Sequence, residues 1–253
     1  HQDLSLTVWQ SAPIICASNA VKDALNWCAV KTFAAQRNLT LATYDATHEF
    51  KNQPIHDTTL NDWLLNLASD SQTAYTIGRL PLLPQMPVLV CENFDVAGSI
   101  VNGSEGTVQS VCYTMNDNGQ HMATSCVVRI EDSCADPFTD LPPHDCVILP
   151  KKVTMKVSHP CSGEMTSVRR SQLPLLPAFC ITDYKSQGRT LPKVIIDLES
   201  ARSIQSAYVM LSRATALENL LILRPFNSRC IICHMNGDLR KELSRLQLLE
   251  CDT

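Results

Sequence analysis

The 253-residue sequence contains only 8 glycines, and none of its apolar runs approaches the ~20 residues that a membrane helix needs. Charged residues make up 18% of the chain and the formal net charge is −4. The total charge therefore does not indicate a nucleic-acid partner, although a local basic patch remains compatible with it. The polar start, HQDLSLTVWQ, has neither an initiator Met nor a signal-peptide core, so we expect an intracellular fragment or a processed piece.

Two common catalytic motifs are also missing. The phosphate-loop pattern G-x-x-x-x-G-K-[ST] does not occur, and neither does the G-x-S-x-G turn of serine hydrolases. Asp197 and Glu199 follow an apolar run in the manner of a magnesium-binding pair, but there is no phosphate loop for them to work with. The sequence therefore does not predict a complete enzyme.

Cysteine, in contrast, is abundant, with 12 residues scattered inside apolar runs. That placement is typical of reduced thiols in an intracellular protein rather than of a disulfide framework. Cys230, Cys233 and His234 suggest zinc, but a structural zinc site needs four ligands. The other close pair, His159 and Cys161, belongs to a different segment. We therefore expect a thiol pair and no metal site.

The beginning of the chain alternates between strand and helix patterns, as in an α/β layer. Asn19 is a suitable N-cap for a helix over 19–38. The apolar residues of that helix recur at helical spacing: Val21, Leu25, Cys28, Ala29 and Phe33. A second helix over 58–69 has its own stripe: Leu60, Trp63, Leu64 and Leu67. Strands are predicted over 12–18, 39–46 and 86–94.

Residues 99–172 have a different character, with alternating strands and turn signals at Asn102-Gly103, Glu105-Gly106 and Asn118-Gly119. This pattern predicts hairpins of a small β-barrel without helices. The α/β pattern then returns, with strands over 177–184, 193–198 and within 217–226, and helices over 202–214 and 237–250. The predicted organisation is an α/β domain of residues 1–98 and 173–253, interrupted by an all-β insert of residues 99–172.

The stretch TDYKSQGRT, residues 182–190, is the first candidate site. Thr182, Lys185 and Ser186 could donate hydrogen bonds to phosphate oxygens, and Gly188 would allow the backbone to approach a ligand closely. Ligands of open α/β sheets bind outside the carboxyl ends of strands, where this loop is expected. A solvated turn between a strand and a helix explains the same residues.

Arg213 is the second candidate, at the end of a helix in which Tyr208, Val209 and Leu211 are predicted to face the core. Arginine stabilises the charge that develops on a transferred phosphoryl group. The alternative is that Arg213 complements the dipole at the carboxyl end of its own helix.

A third group lies in the basic segments PKKVTMK and SVRR of the β insert. Strand alternation would place Lys152, Thr154 and Lys156 on one face, which could follow a nucleic-acid backbone or be an ordinary solvated face. The Asn102-Gly103 loop is interpreted as a tight turn, with no indication of a nucleic-acid contact.

Three segments together resemble one family. They are LPLLPQMPVLVCENFDVAGSIVNGSEGTV, RRSQLPLLPAFCITDYKSQGRTLPKVIIDLES and AYVMLSRATALENLLILRPF, in this order. They are similar to the carboxyl half of a superfamily 1 DNA helicase of the petite-integration-frequency type, especially the helicase part of fungal Helitron-like transposons. The resemblance implies an α/β fold, namely the second RecA-like motor domain of a P-loop-NTPase-type machine with an SH3-like β-barrel insert.

The resemblance also implies roles for single residues. Arg213 would be the arginine finger that reaches the γ-phosphate of ATP. Gln187 and Gly188 would couple the nucleotide cleft to the DNA track. The residues that would line single-stranded DNA are Thr182, Tyr184, Lys185 and Ser186. Tyr184 stands where the family usually has His, so it keeps a ring and a donor but not the imidazole.

In such a helicase, ATP and Mg²⁺ are held by a first RecA-like domain that this sequence does not match. We therefore expect the full protein to move along single-stranded DNA and unwind duplex, and the chain alone to be inactive as an ATPase. The resemblance further implies a nuclear, monomeric protein without a membrane segment, serving DNA repair, recombination or telomere maintenance. The alternatives are a non-enzymatic nucleic-acid-binding module and a decayed transposon-helicase remnant.

Overall fold

The computed structural model describes residues 9, 11–69, 73–116, 118–134, 140–158, 163–232 and 237–251. The chain forms two compact units. The first consists of His1–Ser18 and Ile181–Thr253, and the second of Asn19–Cys180. None of the helices in the described part has the length and apolar character that crossing a bilayer requires.

The described residues contain six α-helices and fifteen strands. The helices are α1 Asn19–Gln36, α2 Thr58–Leu65, α3 Asp183–Ser186, α4 Ile204–Leu211, α5 Arg229–Ile232 and α6 Gly237–Cys251. The strands are β1 Ile14–Cys16, β2 Thr43–Asp45, β3 Thr47–Phe50, β4 Gln53–Pro54, β5 Arg79–Pro81, β6 Pro87–Val90, β7 Glu105–Met115, β8 His121–Arg129, β9 Asp145–Ile148, β10 Lys151–Ser158, β11 Met165–Gln172, β12 Leu175–Pro177, β13 Cys180–Thr182, β14 Val194–Ile196 and β15 Leu220–Ile222.

The first unit is built on a four-stranded sheet in the order β13-β1-β14-β15. Both β1 and β15 run parallel to β14, with Ile15 opposite Ile196 and Ile195 opposite Leu221. All three residues of β14 are buried, as expected for a strand of a parallel sheet that is covered on both faces. The predicted strands over 12–18 and 193–198 are confirmed.

Helix α4 follows this sheet. Its N-cap is Ser203, whose hydroxyl accepts a hydrogen bond from the Ser206 amide at 3.1 Å. Ala207 and Met210, three residues apart, are its buried side chains. Tyr208 is 70% exposed, so the prediction that it faces the core is wrong. The buried side of the helix is formed by Ala207 and Met210, and Tyr208 lies on the solvent-exposed side.

The second unit contains three antiparallel arrangements of strands, in the orders β10-β11-β3-β4, β12-β6-β7-β8-β9 and β2-β5. Within the described part, residues 99–172 form strands and no helix, as predicted. Their strands share two sheets with β3, β4, β6 and β12, which lie outside that range. The predicted strand over 39–46 is realised as β2, but it pairs antiparallel with β5 instead of extending the parallel sheet.

Two turn predictions have different outcomes. At Asn102-Gly103 the chain does turn, with the Ser104 amide donating to the Val101 carbonyl at 2.9 Å and Gly103 at φ 103°. The turn predicted at Glu105-Gly106 is wrong, because both residues begin β7. A Cβ on Gly106 would lie 2.4 Å from the Val128 side chain, so close strand packing explains this glycine.

Helix α1 is present as predicted, but it buries a different face. Of the predicted stripe only Phe33 is buried, and Val21 and Leu25 are half-buried. The other buried residues of the helix are Lys22, Asn26, Val30 and Ala34. Asn26 explains the rotation, because its amide group both donates to the Cys180 carbonyl and accepts from the Cys180 amide, each at 2.8 Å. This pairing satisfies a buried main-chain donor and acceptor together.

Helix α2 begins at its N-cap Asp57, which accepts hydrogen bonds from the Thr59 and Leu60 amides. Its predicted apolar stripe is confirmed. Leu64 packs with residues on the inner face of the β10–β11 hairpin, together with the partly buried residues of the same stripe. The buried members of this cluster are Leu64, Met155, Val157 and Val168. One face of the hairpin is therefore closed by α2.

Arg170, on β11, is fully buried with 0% exposure. Its guanidinium donates to the Thr76 carbonyl at 2.7 Å, to the Leu64 carbonyl and to Nε2 of His48 at 3.0 Å. These acceptors come from β3, from the last turn of α2 and from the segment before β5. Burial lowers the pKa of Arg170 to about 10, which leaves it charged near neutral pH.

His48 completes this network as a neutral ring. Nε2 accepts from Arg170, so Nδ1 carries the proton and donates to the Asn61 side chain at 2.8 Å. Burial lowers the pKa of His48 to about 4. Protonation of Nε2 would place a second positive charge and a second donor against the guanidinium.

We predict that replacing Arg170 by Ala lowers the free energy of unfolding by about 3 kcal/mol, because buried carbonyls lose their donors and a cavity is left. Denaturant unfolding measures this difference. The matched control is Arg169→Ala, one residue away on the exposed side of the same strand, which should change the value by less than about 0.5 kcal/mol. Similar losses in the two variants would contradict the structural role of Arg170.

His48 also makes stability depend on pH. Its folded pKa of about 4 lies below the ordinary value near 6.5, so the unfolded chain binds the proton first. Its contribution is therefore complete above pH 6.5 and is lost as the pH falls to 4, by about 3 kcal/mol. Unfolding curves at several pH values should show this slope, and His48→Asn should reduce it. An unchanged slope in the variant would assign the pH dependence to other groups.

Candidate functional site

The loop that follows β13 is shaped by local hydrogen bonds. Thr182 is the N-cap of α3, and its hydroxyl oxygen accepts from the Lys185 amide at 3.3 Å. The short helix then ends at Gln187, whose amide donates back to the Tyr184 carbonyl. The loop therefore begins at the carboxyl end of a sheet strand, as the sequence predicts.

Gly188 allows the chain to turn back. It adopts φ 77°, a left-handed conformation that costs a residue with a Cβ free energy. No atom lies within 4 Å of the position that its Cβ would take. The glycine is therefore required by backbone conformation and not by crowding, and it leaves the loop surface open.

The predicted site residues of this loop differ in exposure. Tyr184 is 75% exposed, Gln187 and Gly188 are exposed, and Thr182 and Lys185 are half-buried. Ser186 is different, with 0% exposure and its hydroxyl donating to the Asp183 carbonyl at 2.7 Å. In this arrangement the Ser186 side chain supports the loop from within.

Asp183 ties the loop to the start of α4. One carboxylate oxygen accepts from the Tyr184 amide at 2.8 Å, and the other accepts from the Ser206 hydroxyl at 2.5 Å. The sequence analysis did not single out Asp183 or Ser206. The available signal was an acidic residue in the first turn of a short helix, which is also common where no tertiary partner exists.

Arg213 ties the other end of the loop to the carboxyl end of α4. Its Nε donates to the Val209 carbonyl at 2.9 Å, and its Nη1 donates to the carbonyls of Ser186 at 3.2 Å and Arg189 at 2.9 Å. Its Nη2 donates to the Ser212 hydroxyl at 2.8 Å. The helix-end contact weighed as the alternative interpretation is present, and the same guanidinium also holds the candidate loop.

The two candidate sites are therefore one structure. The segment from Asp183 to Arg189 lies along α4, with a carboxylate tie at the start of the helix and a guanidinium tie at its end. The Leu191 amide, just beyond, donates to the Arg213 carbonyl at 2.9 Å. A displacement of Arg213 would thus act directly on the loop that carries Gln187 and Gly188.

The acidic pair after β14 has structural partners. Asp197 is fully buried and accepts two hydrogen bonds from Arg224, at 2.7 and 2.9 Å. Glu199 accepts from the Asn227 amide at 3.1 Å. Both carboxylates hold the segment after β15, so neither is positioned as a metal ligand.

No group of three His, Cys, Asp or Glu side chains in the described ranges is placed to bind a metal ion. Of the cysteine-histidine group, Cys233 and His234 lie outside the described residues, and Cys230 is half-buried. For ATP with Mg²⁺, the described residues thus fit one part of a site, a guanidinium for phosphate oxygens, and they do not fit the magnesium part.

Comparison with known proteins gives a consistent set of relatives. No family model matches the sequence. It is 48% identical over 61 residues to the ATP-dependent DNA helicase PIF1 of Saccharomyces cerevisiae, covering 24% of this chain and 7% of that protein. It is 32% identical over 151 residues to PIF7 of Trypanosoma brucei brucei, covering 53% and 15%. With human PIF1 the identity is 30% over 158 residues, covering 61% and 21%.

Solved structures extend the likeness to the whole chain. The Pif1 helicase of Candida albicans matches with a TM-score of 0.64 and 21% identity, over 100% of this chain and 52% of that one. A Bacteroides Pif1 helicase in complex with ADP-AlF3 and ssDNA matches with a TM-score of 0.63 and 18% identity, over 99% and 48%. At these identities the likeness shows the fold alone, which is RecA-like α/β as predicted. The sheets are mixed in character, whereas a mostly parallel sheet was expected.

The matches also show how much of these proteins the chain represents. It spans about half the length of the solved helicases, and its aligned segments span about a fifth or less of the curated relatives. The resemblance to Pif1-type DNA helicases is therefore confirmed, and the chain is similar to part of such a protein.

Proposed function

We propose that this chain is the second motor-domain portion of an ATP-dependent helicase that moves along single-stranded DNA and unwinds duplex. The observation that carries the proposal is the shared structure of Arg213 and the 183–189 loop. The named activity of the relatives and the single-stranded DNA in a Bacteroides neighbour support it. In the same proposal, residues 99–172 form the SH3-like insert within a RecA-like domain of residues 1–98 and 173–253.

In this function Arg213 is the arginine finger for ATP that other parts of the protein bind. A fixed positive charge with a planar fork of donors suits the oxygens of a γ-phosphate. The 253-residue sequence has no phosphate loop, and the described residues offer no magnesium site. ATP and Mg²⁺ therefore belong to the longer protein, and the isolated chain is inactive as an ATPase.

The exposed side of the loop is the proposed contact with DNA. Tyr184 offers a ring on which a base can stack, and Lys185 and Thr182 offer donors to phosphates. Ser186 positions these residues from inside the loop. Gln187 and Gly188 couple the DNA contact to the ATP contact. They lie between Ser186 and Arg189, whose carbonyls accept hydrogen bonds from Arg213. As in the resemblance, the protein is proposed to be nuclear and monomeric.

The role of Arg213 is tested in the longer protein that contains this segment. Arg213→Ala should lower the kcat of DNA-stimulated ATP hydrolysis by about a thousandfold, and Arg213→Lys should not restore it, because lysine lacks the fork. Hydrogen exchange of the loop amides should increase in the same variants, since Ser186 and Arg189 lose a donor. The control is Arg202→Ala, an exposed arginine of the same unit. A kcat within threefold of wild type would reject the arginine finger.

The role of Lys185 is tested by fluorescence anisotropy with a labelled oligo(dT) strand and the isolated chain. Lys185→Ala should reduce the slope of log K against log salt by about 0.7, the value for one lost phosphate contact on a single strand. Lys241→Ala removes the same charge from exposed helix α6 and should leave the slope unchanged. Equal effects of the two variants would exclude the loop as a specific track. Strand binding by a longer protein without ATP hydrolysis would favour the non-enzymatic module.

A further inference from the structure

One face of the β10–β11 hairpin is lined by hydrogen-bond donors. Alternation buries Met155 and Val157 beneath α2 and turns their neighbours outward. Seven of the eight outward residues of the two strands between positions 152 and 171 are cationic or hydroxyl-bearing: Lys152, Thr154, Lys156, Ser158, Ser167, Arg169 and Ser171. The eighth is the exposed Met165, which pairs with Ser158 at the end of the hairpin. We call these seven residues the donor face, and none of them carries a carboxylate.

The strand register places these residues side by side. Lys152 is opposite Ser171, Thr154 is opposite Arg169, and Lys156 is opposite Ser167. Each row therefore joins one cation to one hydroxyl. Successive outward residues of a strand are about 7 Å apart, a spacing comparable with that of phosphates along an extended single strand.

The charges on the donor face are incompletely compensated. Lys152 forms an ion pair with Glu49 at 2.6 Å, and Arg169 donates to the neutral Asn52 side chain at 2.5 Å. Lys156 forms no ion pair with any described residue. Glu164 precedes β11, beyond the last of the three rows. Three cations thus face one carboxylate, in a chain whose formal net charge is −4.

The shape of this surface selects among polyanions. It is the outer side of a β-sheet whose inner side α2 covers. Because β11 pairs with β3 as well as with β10, the hairpin is part of a wider sheet and is not the free two-stranded ribbon that enters a major groove. Lysine, arginine and hydroxyl side chains are the groups that commonly contact phosphate oxygens. A flat row of such donors suits a backbone that lies along the strands.

We propose that the donor face binds the phosphodiester backbone of a single nucleic-acid strand, as a second contact surface apart from the 182–188 loop. The proposal deepens the proposed function by adding a strand-binding surface on the second unit. Its evidence is the register and charge of the hairpin, which are independent of Arg213 and of the loop.

The test compares two double variants of the full chain by anisotropy with labelled oligo(dT). Lys156→Gln with Arg169→Gln removes two charges from the donor face. It should reduce the salt slope by about 1.4 and weaken binding about 25-fold at 0.1 M salt. Lys31→Gln with Lys151→Gln removes two exposed charges elsewhere on the same unit and should leave both quantities within twofold of wild type. Equal weakening in the two variants, or none in the first, overturns the proposal.

Two further measurements complete the test. In the wild-type chain, oligo(dT) should slow acetylation of Lys156 but not of Lys151, whose side chain pairs with Glu92. Unslowed acetylation of Lys156 overturns the proposal even if the variants misfold. A labelled duplex is measured beside oligo(dT). If the wild-type chain binds the duplex more tightly than oligo(dT), and the Lys156→Gln, Arg169→Gln variant weakens duplex binding to the same extent, the ligand of the donor face is a duplex and the proposal of a single strand is overturned. If Lys185→Ala reduces the salt slope and the Lys156→Gln, Arg169→Gln double variant does not, only the donor-face inference is rejected. If the double variant reduces the slope and Lys185→Ala does not, only the assignment of the 182–188 loop is rejected.

Discussion

The second unit depends on a positive charge that no described carboxylate neutralises. Arg170 is enclosed among main-chain carbonyls and a neutral His48, so its charge is spread over oriented dipoles instead of being paired with an anion. The guanidinium fork supplies several donors in fixed directions, which lets one side chain hold a sheet, a helix end and a loop together. Such a network tolerates little rearrangement, because each lost bond leaves a buried polar group unsatisfied.

The first unit uses the same chemistry for a different purpose. Arg213 also donates to main-chain carbonyls, but it is half-buried and lies at the end of a short helix beside an exposed loop. An enclosed guanidinium such as Arg170 is confined to its acceptors, whereas Arg213 lies where an anion could compete for its donors. The contrast separates an arginine that is enclosed by its acceptors from one that, in the proposed function, contacts a ligand.

Much of the fold could be predicted from the sequence, where apolar patterns are strong. The apolar run Val194–Ile196 predicted a buried strand, which is β14 of the parallel sheet. The apolar stripe that includes Leu64 predicted helix α2, which packs against the β10–β11 hairpin. The rotation of α1 could not be predicted, because it is set by the polar Asn26, whose partner is 154 residues away. The same holds for the Asp183–Ser206 tie. The order of motifs indicated Arg213 and the loop, but their contacts are tertiary and leave no local pattern.

The four contacts of Arg213 have a thermodynamic consequence. A long side chain normally loses rotamer freedom, worth about 2 kcal/mol for arginine, when it is recruited by a ligand. Here that loss has already occurred, since the guanidinium is held by three carbonyls and a hydroxyl. In the proposed function, recruitment of Arg213 by an anion would therefore be an exchange of acceptors at nearly constant conformational entropy. Under the proposed function, the same event would release the carbonyls of Ser186 and Arg189, so the loop would gain the disorder that the arginine does not.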